Sequence, residues 1–150
     1  MSSDEGPGPT VTRRLGYLLK HAQLRMAELN EQALAPYGVN GSELGVLNVL
    51  IGREPGSQQQ AAQRLGIDRT TMVALLDTLE RKGLVARHPH ADDRRRNVVE
   101  LTEAGQETVV DANLAAELAE RELMASLSEA DAKQLRESLH TIVAAVRADG

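Results

Sequence analysis

The side chains with the strongest chemical signature are arginines set beside short polar residues. One group is Asp68-Arg69-Thr70-Thr71 and the other is Asp92-Asp93-Arg94-Arg95-Arg96-Asn97. A guanidinium offers a planar fork of donors that fits the O6/N7 edge of guanine or a phosphate, and threonine meets a thymine methyl or a phosphate oxygen. The chemistry implied is recognition of a polyanion with readable edges. Bond-making constellations are missing: there is no Gly-x-Ser-x-Gly elbow, P-loop, Gly-x-Gly-x-x-Gly fingerprint or His-Glu-x-x-His. With no cysteine, disulfides, Cys-ligated zinc, Fe–S clusters, thiol nucleophiles and thiol redox sensors are excluded. His88 and His90 flank Pro89, and His21 and His140 stand apart, without the repeated spacing of metal ligands. We expect no catalytic residue, metal or cofactor.

Charge placement fits the same chemistry. The formal net charge of −5 argues against a polyanion partner, yet Arg53 to Arg96 holds nine basic and six acidic residues, a local balance of +3 within a chain whose remainder is −8. With no Trp or Phe and only Tyr17 and Tyr37, the chain lacks the aromatic platforms on which single-stranded nucleic acids stack. Binding of single strands through stacked bases is therefore disfavoured.

The elements that must position these groups follow from periodicity and punctuation. The 150 residues, 41% hydrophobic and 26% charged, suit one soluble folded unit. Residues 1–9, rich in Gly, Pro and Ser, read as a disordered tail. Leu15, Leu18, Leu19, Ala22, Met26, Leu29 and Ala33 form the stripe of a first helix that Pro36 and Gly38 end, with Tyr17, His21 and Leu24 on its other side. Ser42 before Glu43 predicts the cap of a second helix, and Glu54-Pro55-Gly56 a turn. Ser57 with Gln60 fits a capping box, opening a helix to Gly66, and Asp68 caps the next, which ends at Gly83. Residues 84–87 and 97–101 read as the arms of a hairpin around a polar tip. Helical spacing returns after Thr102 through Val109, Val110, Leu114 and Leu118. It returns again after a Ser128 cap through Leu135, Leu139, Ile142, Val143 and Val146. About seventy per cent helix is expected, well above the usual third. The apolar residues of the terminal helices exceed what one small core absorbs. With alanines at 112, 115, 116 and 119 allowing close approach, those helices are expected to pair with a second copy of the chain.

The run from Gln58 to Leu75 carries the most specific pattern. Two helices crossing steeply need a small residue at the contact, a glycine in the turn and apolar residues wedging the pair. Ala62, Gly66 and the set Ala61, Leu65, Ile67, Met72, Leu75 fill these places as in a DNA-binding helix-turn-helix. With Met72, Leu75, Leu76 and Leu79 inward, the second helix turns Thr70, Ala74, Asp77 and Arg81 outward, with Arg69 and Val73 beside them. Asp68, Arg69, Thr70, Thr71, Val73 and Ala74 are thus the candidate base-reading set, Arg69 foremost as a guanine reader. Ser57, Gln58 and Gln59, at the start of the preceding helix, and Arg81 are candidates for the phosphate backbone. Asp93, Arg94, Arg95 and Arg96 form a wing aimed at the adjoining minor groove. Alternation along a strand sets Arg95 opposite to Arg94 and Arg96, near enough to Asp93 to be oriented by it.

These residues carry a resemblance. The run through Leu76-Asp77-Thr-Leu79-Glu80-Arg-Lys-Gly83-Leu84-Val85, the Asp-x-Arg signature at Asp93 and Arg95, and the Leu-Thr-x-x-Gly junction at Leu101, Thr102 and Gly105 resemble the MarR (multiple-antibiotic-resistance regulator) family of winged-helix repressors. The element order matches over residues 11 to 147. The resemblance implies a mainly α fold with a small β-hairpin wing: a winged helix-turn-helix lobe (41–105) plus a helical dimerisation domain from the N- and C-terminal helices (10–40 and 106–150). It implies a homodimer on a near-palindromic operator, released by a small, often anionic and aromatic effector bound between the domains, where Tyr17 and His21 lie. The scarcity of aromatic residues departs from a pocket for planar phenols, and the missing cysteines rule out the peroxide-sensing branch. The alternative is a winged-helix module binding an acidic protein partner, which the arginine-rich wing disfavours. No window approaches the ~18 to 20 apolar residues needed to cross a bilayer, and the N-terminus lacks a basic leader, so a cytoplasmic location is expected.

Overall fold

The computed structural model describes residues 6–51, 56–89, 91–92 and 97–149. A four-residue helix α1 (Pro9–Thr12) precedes α2 (Leu15–Leu34), so the expected tail gives way to helix at Pro9. A 3₁₀ turn over Ala35–Tyr37 and Gly38 at φ 69° end α2. Next come α3 (Gly41–Leu50), β1 (Gly56–Ser57), α4 (Gln58–Leu65), α5 (Arg69–Arg81), the hairpin β2 (Val85–Pro89) and β3 (Asn97–Leu101), then α6 (Glu103–Leu123) and α7 (Glu129–Asp149). The expected mainly α architecture with a β-hairpin is present, with one addition. β1 pairs antiparallel with β3, Gly56 opposite Val99, giving a three-stranded sheet in the order β1-β3-β2.

Most helix starts are those the sequence predicts. Asp68 caps α5, Thr102 caps α6, and the Ser128 hydroxyl accepts from the Asp131 N–H. The cap of α3 is a correction: Asn40, not Ser42, holds the position. Its Oδ1 accepts from the Glu43 N–H at 2.8 Å while Glu43 Oε1 accepts from the Asn40 N–H at 2.9 Å, a closed capping box. The box needs its carboxylate three residues after the cap, and Asn40 alone satisfies that spacing.

The core lies where α2, α3, α5, α6 and the sheet converge, around Leu34, Leu47, Met72, Leu76, Leu79, Val99 and Val109. The central contact is α2 against α6, where Leu29 is buried. Further toward the N-terminus of α2, the expected stripe has no cover: Leu15, Leu18 and Leu19 are exposed, as are Val110, Leu114 and Leu118 on α6 and Leu139, Ile142, Val143 and Val146 on α7. α7 is exposed from Lys133 to Arg147, and Arg136 reaches back to Glu120 of α6 at 3.0 Å.

Candidate nucleic-acid interface

α4 and α5 meet at a turn of three residues, Gly66-Ile67-Asp68. Gly66 takes φ 67°, a conformation that side-chain-bearing residues avoid, and the Ile67 N–H reaches back to the Ala62 carbonyl at 3.1 Å. Ala61 and Ala62 are buried at the crossing, and Met72, Leu76 and Leu79 bury the inner face of α5. Arg69, Thr70, Thr71, Ala74, Asp77 and Arg81 are exposed on the outer face, while Val73 and Leu75 are half-buried at its margins. Of the predicted reading set, Arg69, Thr70, Thr71 and Ala74 thus share one open surface at the N-terminal end of α5.

The polar groups on that surface differ in what holds them. Asp68 is engaged within the helix: Oδ1 accepts from the Thr71 N–H at 2.7 Å and Oδ2 from the Thr71 hydroxyl at 2.9 Å. The Thr71 N–H bond, then its hydroxyl bond, holds the Asp68 carboxyl below its ordinary value. Thr71 therefore keeps only acceptor capacity and its methyl for an outside partner. Arg69 makes no hydrogen bond or ion pair among the described residues. A free guanidinium beside the positive end of a helix dipole suits an anionic surface carrying acceptors.

α4 begins at Gln58, directly after Ser57, and Gln59 is exposed. The side chains of Ser57 and Gln58 lie outside the described residues, as do Glu54, Pro55, and the wing candidates Asp93, Arg94, Arg95 and Arg96. Arg81 lies along α5, its Nε donating to the Asp77 carbonyl at 3.4 Å and Nη2 to the Thr78 hydroxyl at 3.3 Å.

Two anchors fix α5, and the sequence singles out neither. Lys82 at its C-cap donates to the Gly38 carbonyl and to Glu43 Oε2, both at 2.7 Å, satisfying a carboxylate only 3% exposed. Arg87 on β2 reaches both Asp77 and Glu80. Its bond to Glu80 is the main cause that holds the Glu80 carboxyl below its ordinary value and raises the guanidinium. Spacing carried a signal: Arg87 lies two residues from buried Val85, hence on the same strand face, where a charged group needs partners.

On α2 the Tyr17 and His21 rings lie 4.1 Å apart at 37°. His21 is exposed and Tyr17 half-buried, so the two form a small ring pair one helical turn apart. Farther along, Asn48 of α3 and Asn113 of α6 exchange reciprocal amide bonds at 2.9 and 2.7 Å, joining the helix-turn-helix lobe to the long helices.

The fold recurs in known proteins. A family model described as the MarR family matches residues 37–96. The chain is 30% identical over 95 residues to the HTH-type transcriptional repressor NicR of Pseudomonas putida, a match spanning 63% of this chain and 60% of that repressor's length. Among solved structures, the transcriptional repressor CouR bound to a 23-mer DNA duplex superposes with a TM-score of 0.81 at 34% identity, over 88% of this chain and 94% of that one. CouR from Rhodococcus jostii RHA1 bound to p-coumaroyl-CoA superposes at 0.75 and 26% identity, over 90% and 95%.

Proposed function

This chain belongs to the MarR family, and on that premise we propose that it is a homodimeric, sequence-specific repressor of transcription that binds a near-palindromic DNA operator and is released by a small-molecule effector. The observation that carries the reading is the open N-terminal face of α5, where Arg69, without a partner among the described residues, stands beside Thr70, Thr71 and Ala74 on a helix anchored at both ends. A helix presented in this way enters the ~12 Å major groove with its first residues at the base edges. The similar repressor CouR is seen bound to a duplex. The arginines at 94–96, which lie in sequence between the two hairpin strands and outside the described residues, are the ones we assign to the adjoining minor-groove contact.

One lobe presents one short reading helix, and dimerisation doubles it. The uncovered apolar faces of α2, α6 and α7, with Leu118 63% and Val146 68% exposed, are the surface a second copy covers. Two-fold symmetry then sets half-sites about one helical turn, ~34 Å, apart. For the effector we place contacts at Tyr17 and His21, the ring pair on α2; the relative CouR is seen bound to p-coumaroyl-CoA. No helix among the described residues is long and apolar enough to cross a membrane, and we assign the protein to the cytoplasm, with no enzymatic activity.

The decisive experiment is footprinting of bound genomic fragments with the full chain. Protection of two symmetric half-sites is expected. An asymmetric site covering a single half-turn, or binding by an obligate monomer, refutes the reading.

A further inference from the structure

The hairpin stem carries a cation that faces the reading helix. Arg87 stands on β2 opposite Val99 of β3, and its side chain is only 18% exposed. Nη2 donates to Asp77 Oδ1, while Nε and Nη2 donate to the Glu80 carboxylate at 3.3 and 3.4 Å. Asp77 and Glu80 are three residues apart, one turn of α5, so a single guanidinium bridges two carboxylates at different heights on the helix. The sequence pattern sets Asp77 on the outward face with Thr70, Ala74 and Arg81. In the structure its carboxylate is turned to the hairpin.

A two-stranded ribbon holds its angle poorly by itself. Here β3 is fixed on one side by β1, and β2 is fixed to α5 through Arg87. The fork of a guanidinium has fixed donor directions, so attachment to two points on a rigid helix constrains rotation as well as distance. From this geometry we propose that Arg87 is a positioning residue for DNA recognition. With Asp77 and Glu80 it forms a yoke that presets the angle between the reading helix and the hairpin, so that both enter adjacent grooves in one register. The proposal rests on the DNA-binding reading above. Its physical content is preorganisation: without the yoke the hairpin must be ordered at the moment of binding, and that cost falls on the minor-groove contact.

The test uses the full chain on a duplex carrying its footprinted site. Guanine-N7 methylation protection reports the major groove, and hydroxyl-radical protection reports the minor groove. Arg87→Gln should bind about tenfold more weakly, a coupling typical of contacting residues. At saturating protein it should keep guanine protection while losing minor-groove protection. The double variant Asp77→Asn/Glu80→Gln, both on the exposed side of α5, should reproduce that pattern, and it carries the test if Arg87→Gln does not fold. Combining all three substitutions should be no worse than either alone. The yoke is overturned if both protections fade in proportion, or if Asp77→Asn/Glu80→Gln binds as tightly as the unaltered chain. It is equally overturned if adding that pair restores Arg87→Gln, which would make Arg87 a mask for carboxylate charge. An unaltered chain that protects no duplex refutes the DNA-binding reading and the yoke with it, whereas the preceding outcomes, read on an unaltered chain that does bind, refute the yoke alone.

Discussion

Replacing Gly105 by alanine tests how tightly the wing is joined to the long helices. Gly105 is buried in the first turn of α6, and its φ is not positive, so the glycine serves space and not backbone freedom. A Cβ there would stand 2.0 Å from the Leu84 carbonyl oxygen, 3.0 Å from its carbon and 3.4 Å from Leu101 Cδ2. Because the obstacle is backbone, helix and strand must separate by about 1 Å to reach ordinary contact. The Leu84 oxygen also accepts from the Thr102 N–H at 3.1 Å, while the Thr102 hydroxyl donates to the Gly83 carbonyl at 2.6 Å and accepts from the Gly105 N–H at 3.0 Å. Such a separation breaks the first of these bonds and loosens the cap. Overpacking at about 1–3 kcal/mol and a lost hydrogen bond at about 1 kcal/mol are offset by about 1 kcal/mol from alanine's better helix propensity. The net loss is about 1–3 kcal/mol, and roughly 2–12 °C in melting temperature for a domain of this size. Denaturant unfolding at matched protomer concentration measures it, with an unchanged slope showing that the loss is in stability. A neutral or stabilised Gly105→Ala would refute the steric argument and imply that the junction yields.

Four further outcomes are expected. Arg69→Ala should cost about 1–3 kcal/mol and relax preference at one base position per half-site, and equal weakening on random DNA would reassign Arg69 to a phosphate. Leu114→Glu with Leu118→Glu on the uncovered face of α6 should leave a monomer in equilibrium sedimentation and abolish two-site footprints; a persistent dimer removes that face from the interface. The Asp68 carboxyl is held below its ordinary 3.8, so its stabilising bonds are complete above that pH and are lost as pH falls through the lowered value. The stability advantage over Asp68→Ala should therefore shrink only in strong acid, and an advantage that grows on acidification contradicts the cap. In the wing, Arg94→Ala and Arg96→Ala should each lower the log–log salt slope by about 0.9, whereas Asp93→Ala and Arg95→Ala should be non-additive; a coupling near zero leaves the wing an undifferentiated basic patch.

What the sequence makes legible is what local chemistry determines. Asp68 and Ser128 are readable as caps because a cap bonds an amide two or three residues on, while Thr102 is legible only as the point where helical spacing returns and its capping bond to Gly105 emerges in the structure. Gly66 and Gly83 are readable because their turns need positive φ. Asn40 was missed in favour of Ser42 because both are cap residues, and only the three-residue spacing to Glu43 separates them. β1 carries no alternation in two residues and owes its existence to β3. The Asn48–Asn113 exchange spans 65 positions and the Lys82–Glu43 pair 39, so no local pattern announces either. Arg87 is intermediate: its strand position marks it as inward-facing, but its partners depend on how α5 crosses the sheet. The common exposure of Arg69, Thr70, Thr71 and Ala74 was legible because they lie on one helix face, and the uncovered stripes were legible as apolar residues in excess of one core.

A chain of net charge −5 approaching DNA is reconciled by where its acids stand. At physiological salt charges are screened over about 8 Å. Near α5 itself, Asp77 and Glu80 share the Arg87 cation, Glu43 is matched by Lys82, and Asp68 is bonded to Thr71. Arg69 has no such acid partner among the described residues. The field that a phosphate meets at the start of α5 is therefore set by Arg69 and the helix dipole more than by the sum over the chain. On the proposed reading, the same arrangement lets two carboxylates stand on a helix that meets a polyanion: they face the hairpin, where the single Arg87 cation offsets part of their charge and ties the two elements together.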